Sequence, residues 1–114
     1  MSLDAPAALK ANASVFAALG DETRLSLLAK LTSGERQSIS RLTAGTHLTR
    51  QAVTKHLRVL EEAGVVGRVR IGRETQFELK PEPIDEVRLY LERVSREWDD
   101  ALERLRRFVE DSDR

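Results

Sequence analysis

Apolar residues recur at helical spacing along most of the chain, and Gly and Pro residues separate the segments. Residues 5–19 are rich in Ala and Leu and predict a first helix. Asp21 has the short acceptor side chain of an N-cap, which predicts a second helix that begins there and ends at residues 33–34. The residues expected on the inner face of this second helix are Leu25, Leu28 and Leu31.

A glycine turn joins the next two predicted helices. Residues 36–44 predict a short third helix, and Gly45 follows it in a position where glycine permits a left-handed backbone. Thr49 can cap a fourth helix, and Gly64 can end it. The third helix, the turn and the fourth helix together have the length and punctuation of a helix-turn-helix.

After Gly64 the pattern changes from helical spacing to that of a β-hairpin. Residues 65–71 are rich in β-branched Val and Ile, and residues 72–74 can form a turn. Residues 75–79 alternate, with Phe77 and Leu79 on one face. This segment therefore predicts two antiparallel strands.

Pro81 and Pro83 are expected to break the chain before a last helix over residues 81–110. About 27 residues of this segment show helical spacing, which corresponds to roughly 40 Å at 1.5 Å per residue and exceeds what one small domain can cover. We therefore expect its apolar stripe to form a dimer interface, although packing within its own chain is the alternative. The interface residues expected are Val87, Leu91, Val94, Trp98, Leu102 and Leu105.

The predicted fold class is mainly α with a small β-hairpin, in the order α-α-α-α-β-β-α, as a single domain of residues 1–114. The chain has 114 residues and no cysteine, which excludes disulfides and thiolate metal sites. Its two histidines offer little to a metal, so we expect no metal site and no cofactor. No segment predicts a membrane span or an export signal, and the expected location is the cytoplasm.

The zero formal net charge conceals a basic middle and an acidic end. Residues 34–80 contain nine basic and five acidic groups, whereas residues 81–114 contain seven and eleven. This asymmetry favours an anionic partner for the middle of the chain, while ordinary solvated faces remain the alternative.

The fourth helix predicts two opposite faces at about 100° per residue. Val53, Leu57 and Leu60 define its buried face. The opposite face carries Gln51, Thr54, Lys55 and Arg58, with Arg50 and His56 beside it. These are residue types that read base edges in the DNA major groove, although a solvated helix face is the alternative. The candidate DNA-binding residues of this helix are Thr49, Arg50, Gln51, Thr54, Lys55, His56 and Arg58.

The predicted hairpin adds Arg68, Arg70 and Arg73, which could bind phosphates or enter the minor groove. Charged residues that keep an edge strand soluble are the competing explanation. His47 and His56 need similar care, because a histidine beside a core face is commonly a hydrogen-bonded structural residue.

The runs VFAALGDETRLSLLAKL and LTRQAVTKHLRVLEEAGVVGRVRIGRETQFEL resemble the ArsR-type winged helix-turn-helix repressors of bacteria. The similarity covers residues 15–79. It implies a homodimer whose fourth helix enters the major groove and whose hairpin, the wing, touches the flanking backbone.

The resemblance also places the family's thiolate pair at Ser38 and Ser40, where serine cannot replace a thiolate as a soft-metal ligand. The family's other metal site needs histidine on the last helix, and no histidine follows His56. The chain thus resembles a cysteine-free, metal-independent branch, and the sequence identifies no small-molecule inducer.

The function expected from these features is that of a DNA-binding transcriptional repressor, whose homodimer recognises an inverted-repeat operator in double-stranded DNA. The alternative is a winged-helix module that binds protein without sequence-specific DNA binding, since fold does not fix function. Such a module should carry aromatic or Leu anchors on the outer face of the fourth helix, which has none. No catalytic constellation is recognisable, so an enzyme is not expected.

Overall fold

The computed structural model describes residues 6–112, which form five helices and one three-stranded antiparallel sheet. The predicted mainly α fold with a hairpin wing is confirmed. Residues 1–5, which include the expected first residue of the first helix, lie outside the described residues, as do residues 113–114. The elements are α1 (Pro6–Leu19), α2 (Glu22–Ala29), β1 (Gln37–Ser38), α3 (Ile39–Thr43), α4 (Arg50–Glu62), β2 (Val66–Ile71), β3 (Glu74–Leu79) and α5 (Pro81–Ser112).

The start of α2 is as predicted, and its end is different. The Asp21 carboxylate accepts a hydrogen bond from the Arg24 backbone N–H at 2.9 Å and so caps the helix. The α-helix ends at Ala29, and tighter i→i−3 hydrogen bonds carry the chain on to Gly34. Leu25, predicted to face inward, is 51% exposed. The buried leucines here are Leu27, Leu28 and Leu31.

The predicted third helix over residues 36–44 is too long, because its beginning is a strand. Gln37 and Ser38 form β1, which pairs with Phe77 and Gln76 of β3. The Ser38 hydroxyl then accepts the Arg41 backbone N–H and caps α3. This pairing depends on a strand about forty positions further along the chain, so local spacing could not predict it.

The helix-turn-helix and the wing follow their predicted limits. The Thr49 hydroxyl caps α4 by accepting the Ala52 backbone N–H at 3.0 Å. Gly64 has a φ of 78°, in the left-handed region that ends helices, and Gly72 has a φ of 63° in the hairpin turn. The sheet order β1-β3-β2 places β3 in the centre and ties the wing to the start of α3.

Pro81 and Pro83 begin α5 rather than break the chain before it. Pro81 is its first residue and Pro83 lies in its first turn, where backbone N–H groups have no partner within the helix. The helix then continues for 32 residues, roughly 48 Å. Within residues 6–112, no helix is both long and apolar enough to cross a membrane.

Candidate nucleic-acid interface

The fourth helix places its apolar and polar residues on the faces that the sequence predicts. Its buried residues, each at most 1% exposed, are Val53, Leu57 and Leu60. Gln51, Lys55 and Arg58 are exposed, and none of their side chains forms a hydrogen bond or ion pair within residues 6–112. These three side chains are therefore available to an external partner.

Two threonines of the candidate site already have intramolecular partners. The Thr49 hydroxyl is occupied as the N-cap of α4. The Thr54 hydroxyl donates to the Arg50 carbonyl at 2.7 Å, one turn earlier. Thr54 can therefore offer its methyl group to a partner, while its hydroxyl stays bound to the backbone.

His56 faces the protein and contacts Arg24 of α2. Its Nδ1 lies 3.4 Å from one guanidinium nitrogen, and because Arg can only donate, Nδ1 is the acceptor. The same guanidinium donates from Nε to the Ala18 carbonyl at 2.6 Å and from its other terminal nitrogen to the Ala17 carbonyl at 3.2 Å. Arg24 thereby joins the end of α1 to the middle of α4. The sequence pattern did not single it out, since its only local signal is its position three residues after the Asp21 cap.

One of the three wing arginines is paired within the chain. Arg68 donates twice to the carboxylate of Glu61 on α4, at 2.7 and 3.0 Å, and this hydrogen-bonded pair raises the pKa of Arg68. Its guanidinium carbon also lies 5.6 Å from the centre of the Phe77 ring. Arg68 thus fastens β2 to α4, and its predicted role on DNA stays a prediction.

The other two wing arginines, Arg70 and Arg73, are exposed and have no ion-pair partner within the part of the chain that the structure describes. Arg50, at the start of α4, is exposed and unpaired in the same way. Arg50 and Arg73 line one groove, so the first turn of α4 and the wing form one surface with several uncompensated positive charges. Such a surface can bind the phosphates of nucleic acid and bring amide and cationic side chains to base edges.

The structure gives Ser38 a structural role and leaves Ser40 exposed. Ser38 is buried as the cap of α3, whereas the Ser40 side chain makes no hydrogen bond within residues 6–112. Among those residues, no group of three His, Asp or Glu side chains is arranged to hold a metal ion.

The apolar stripe of α5 divides into a packed first part and an uncovered second part. Val87 is 4% exposed and belongs to the chain's own core, so its expected place in a dimer interface is not supported. Trp98 is 64% exposed, and Leu102 and Leu105 are also more than half exposed. Leu91 lines an apolar groove of 530 Å³ between α1 and α5, on the same side as the stripe.

Comparison with known proteins supports a helix-turn-helix assignment. Residues 19–69 match a family described as "Helix-turn-helix domain". The uncharacterized HTH-type transcriptional regulator YuzN of Bacillus subtilis is 37% identical over 76 residues, which cover 61% of this chain and 83% of that protein.

Solved structures agree in fold and in class. An ArsR-like transcriptional regulator from Rhodococcus sp. RHA1 is 36% identical, with a TM-score of 0.79 over 90% of this chain and 95% of the other. A homodimeric winged helix-turn-helix DNA-binding domain from Mycobacterium bovis, described as a possible ArsR-family regulator, is 26% identical, with a TM-score of 0.65 over 90% and 92% of the two chains.

The fold, the recognition-helix surface and these relatives define a winged helix-turn-helix transcriptional regulator rather than an enzyme. Within that class, the chain belongs to the ArsR-type family.

Proposed function

We propose that this protein is a sequence-specific repressor that acts in the cytoplasm as a homodimer on an inverted-repeat operator. The observation that carries the proposal is one continuous surface on which α4 and the wing present unpaired Arg, Lys and Gln side chains. An apolar or acidic surface in this position would have favoured a protein partner instead.

Base recognition is proposed for the exposed residues of α4. Gln51 can donate to and accept from adenine, and Lys55 or Arg58 can donate to guanine. The Thr54 methyl can contact the methyl group of thymine. His56 and Arg68 are left out of this proposal because each is engaged by another side chain of the protein.

Phosphate binding is proposed for the cations around that face. Arg50, Arg70 and Arg73 are exposed and uncompensated. Such residues supply affinity and orientation without reading sequence, and their contribution falls as salt increases.

The homodimer is proposed from the uncovered stripe of α5 and the groove beside it. A helix that continues with large apolar residues beyond its own domain needs a second apolar surface. The Mycobacterium bovis relative is described as homodimeric, which supports the same assembly here. A two-fold dimer carries two recognition helices and reads two half-sites about one helical turn apart.

Repression is proposed because a surface proposed for DNA and a helix proposed for dimerisation together suit a dimer that acts by occupying DNA. A dimer of this kind can regulate by occupying promoter DNA and so excluding the transcription machinery. The resemblance to ArsR-type repressors points the same way.

Selection from a random duplex library tests the proposal. We expect the purified protein to enrich an inverted repeat, and transcription from a promoter containing that repeat to fall when the protein is added. Binding without any enriched sequence would support the protein-interaction alternative, and increased transcription would contradict repression.

A further inference from the structure

A groove of 740 Å³ lies between the start of α4 and the tip of the wing. Arg50 from α4 and Arg73 from the hairpin turn both line it, together with Ser40 from α3. The sequence assigns these two arginines to separate elements, and the pairing of β1 with β3 brings those elements together. The groove is thus the junction between the base-reading helix and the wing.

The two arginines in this groove have no acidic partner, unlike two other arginines of this region. Arg36 pairs with Glu78, and Arg68 pairs with Glu61. Arg50 and Arg73 have no such pair within residues 6–112, although Glu74 also lines the groove. Two cations and one carboxylate leave the groove with an excess of one positive charge, which suits a single anionic group.

Backbone donors at the start of α4 add to this charge. Thr49 accepts the N–H groups of Ala52 and Val53 through its hydroxyl and its carbonyl. The N–H groups of Arg50 and Gln51 have no acceptor among the described residues, as expected at the beginning of a 13-residue helix. Of these two residues, Arg50 lines the groove. A free helix N-terminal amide and guanidinium groups are donors that proteins use to hold phosphate.

We infer that the groove binds one phosphate group of the DNA backbone, and that Arg50 and Arg73 contact the same phosphate. This inference rests on the proposed DNA binding. Gln51 reads bases from the next position of α4, so Arg50 lies where the backbone borders the major groove. One shared phosphate would fix the recognition helix and the wing in a single register on the duplex.

A double-mutant cycle tests whether the two arginines share a phosphate. We expect Arg50→Ala and Arg73→Ala each to lower operator affinity by about tenfold per half-site. The double variant should lose clearly less than the product of these factors, because the second substitution removes an interaction that is already weakened. Arg50→Ala combined with Arg70→Ala is the matched control, and its losses should multiply.

Duplexes with a single neutral methylphosphonate locate the phosphate. At one position in each half-site, this replacement should weaken the wild type, and neither Arg50→Ala nor Arg73→Ala should weaken binding further. The shared phosphate is rejected if the effects of the two substitutions disappear at different methylphosphonate positions. It is also rejected if their losses of affinity multiply as in the control. Neither result contradicts the proposed DNA binding. If the wild type binds no duplex, the proposed function itself fails.

A competition experiment with inorganic phosphate tests whether the groove binds a phosphate of the DNA backbone or free phosphate. At equal ionic strength, we expect phosphate to compete with the operator better than chloride in the wild type and no better than chloride in the double variant. Saturable binding of phosphate that the double variant loses, while its operator affinity stays that of the wild type, would assign the groove to free phosphate and overturn the backbone assignment. Glu74→Gln should increase operator affinity in the wild type and have little effect in the double variant, because its carboxylate then has no bound phosphate to oppose.

Discussion

Whether a single residue of the interface is available to DNA depends more on its neighbours than on its residue type. Arg68 and Arg70 share a strand face and look equivalent in sequence, but only Arg68 reaches the carboxylate of Glu61. His56 lies on the recognition helix and is nevertheless occupied by Arg24. The spacing of residues shows which face a side chain occupies, whereas its partner depends on how separate elements pack, and this was not predictable.

Arg68 and Arg70 should therefore respond differently to substitution. Arg68→Ala should change DNA affinity by less than about twofold and lower the free energy of unfolding by less than about 1 kcal/mol, as for an exposed ion pair. Arg70→Ala should weaken operator and random DNA alike and reduce the slope of log affinity against log salt by about one unit for each phosphate that Arg70 binds. Binding titrations at two salt concentrations and urea denaturation measure these effects. Equal losses of DNA affinity for the two variants would show that the Arg68–Glu61 pair opens on DNA.

The cap of α2 should make stability depend on pH in the acidic range. The Arg24 backbone N–H holds the pKa of Asp21 below its ordinary value of 3.8. A lowered carboxylate pKa contributes stability above the unfolded value, and this contribution is lost as the pH falls through the folded value. Asp21→Ala should therefore melt at a lower temperature at pH 6, and its difference from the wild type should shrink towards pH 3.

Thermal melts of Asp21→Asn provide the control for that prediction. Asparagine keeps an acceptor oxygen for the Arg24 N–H without the charge, so it should retain most of the capping effect with a weaker pH dependence. A difference between Asp21→Ala and the wild type that stays constant from pH 6 to pH 3 would contradict the role of the ionised carboxylate.

At the scale of elements, local signals were sufficient wherever a cap, a glycine or a period marked the boundary. Thr49 and Gly64 bracket α4, and the three-and-four spacing of its apolar residues predicts its buried face. The strand β1 has only two residues and exists through its pairing with β3, so nothing local indicates it. The groove that joins α4 to the wing depends on this pairing and was missed for the same reason.

Base recognition by α4 and phosphate binding by the wing can be separated by measuring affinity for operators with single base-pair changes. Gln51→Ala and Lys55→Ala should relax preference at particular base pairs, at a cost of roughly 1–3 kcal/mol for each symmetric contact. The expected reason is the loss of hydrogen bonds to base edges, whereas Arg70→Ala removes only a phosphate interaction. Affinities for an operator with single base-pair changes and for a scrambled duplex check this. Proportionate losses on every duplex for all three variants would reject separate reading and anchoring roles.

At the scale of the whole molecule, α5 gives the chain an elongated shape and an uncovered apolar surface. The described residues extend 73 × 33 × 22 Å. The first half of α5 packs on α1, where Tyr90 meets Phe16 edge to face at 6.2 Å between ring centres. Its second half carries Trp98 and Leu105 without cover. The length and stripe of this helix were predictable from sequence, whereas the burial of Val87 in the chain's own core was not.

Dimerisation through the uncovered stripe should be sensitive to Trp98. Trp98→Ala should weaken the dimer by about 2 kcal/mol or more, as expected for a large apolar residue at an interface. Leu89→Ala is a matched control, because Leu89 is an exposed apolar residue of α5 that lies away from the stripe. Sedimentation equilibrium should show the variant dissociating at concentrations where the wild type and the control remain dimers. A wild type that sediments as a 12.9 kDa monomer at micromolar concentration would reject the dimer.

The sizes of the stripe residues predict that the two copies of α5 run antiparallel. In a parallel pair, each position would face its own copy, so that Trp98 meets Trp98 and Ala101 meets Ala101, overfilling one layer and underfilling the next. In the antiparallel register, Trp98 meets Val94 and Ala101 meets Leu91, so a large residue faces a smaller one in both layers. This register also brings Ala101 of the second copy over the apolar groove that Leu91 lines.

The absence of cysteine from the sequence allows this orientation to be tested with introduced thiols. Neither Leu91→Cys nor Ala101→Cys should form a covalent dimer with a short thiol crosslinker when it is the only variant present. In the antiparallel register, the two copies of the same residue are about 15 Å apart along the helix axis. A mixture of the two variants should form a covalent dimer, since Leu91 and Ala101 then face each other. Efficient crosslinking of both variants, each with itself, would establish the parallel arrangement. If the mixture does not crosslink although both variants sediment as dimers, the interface lies elsewhere on the protein.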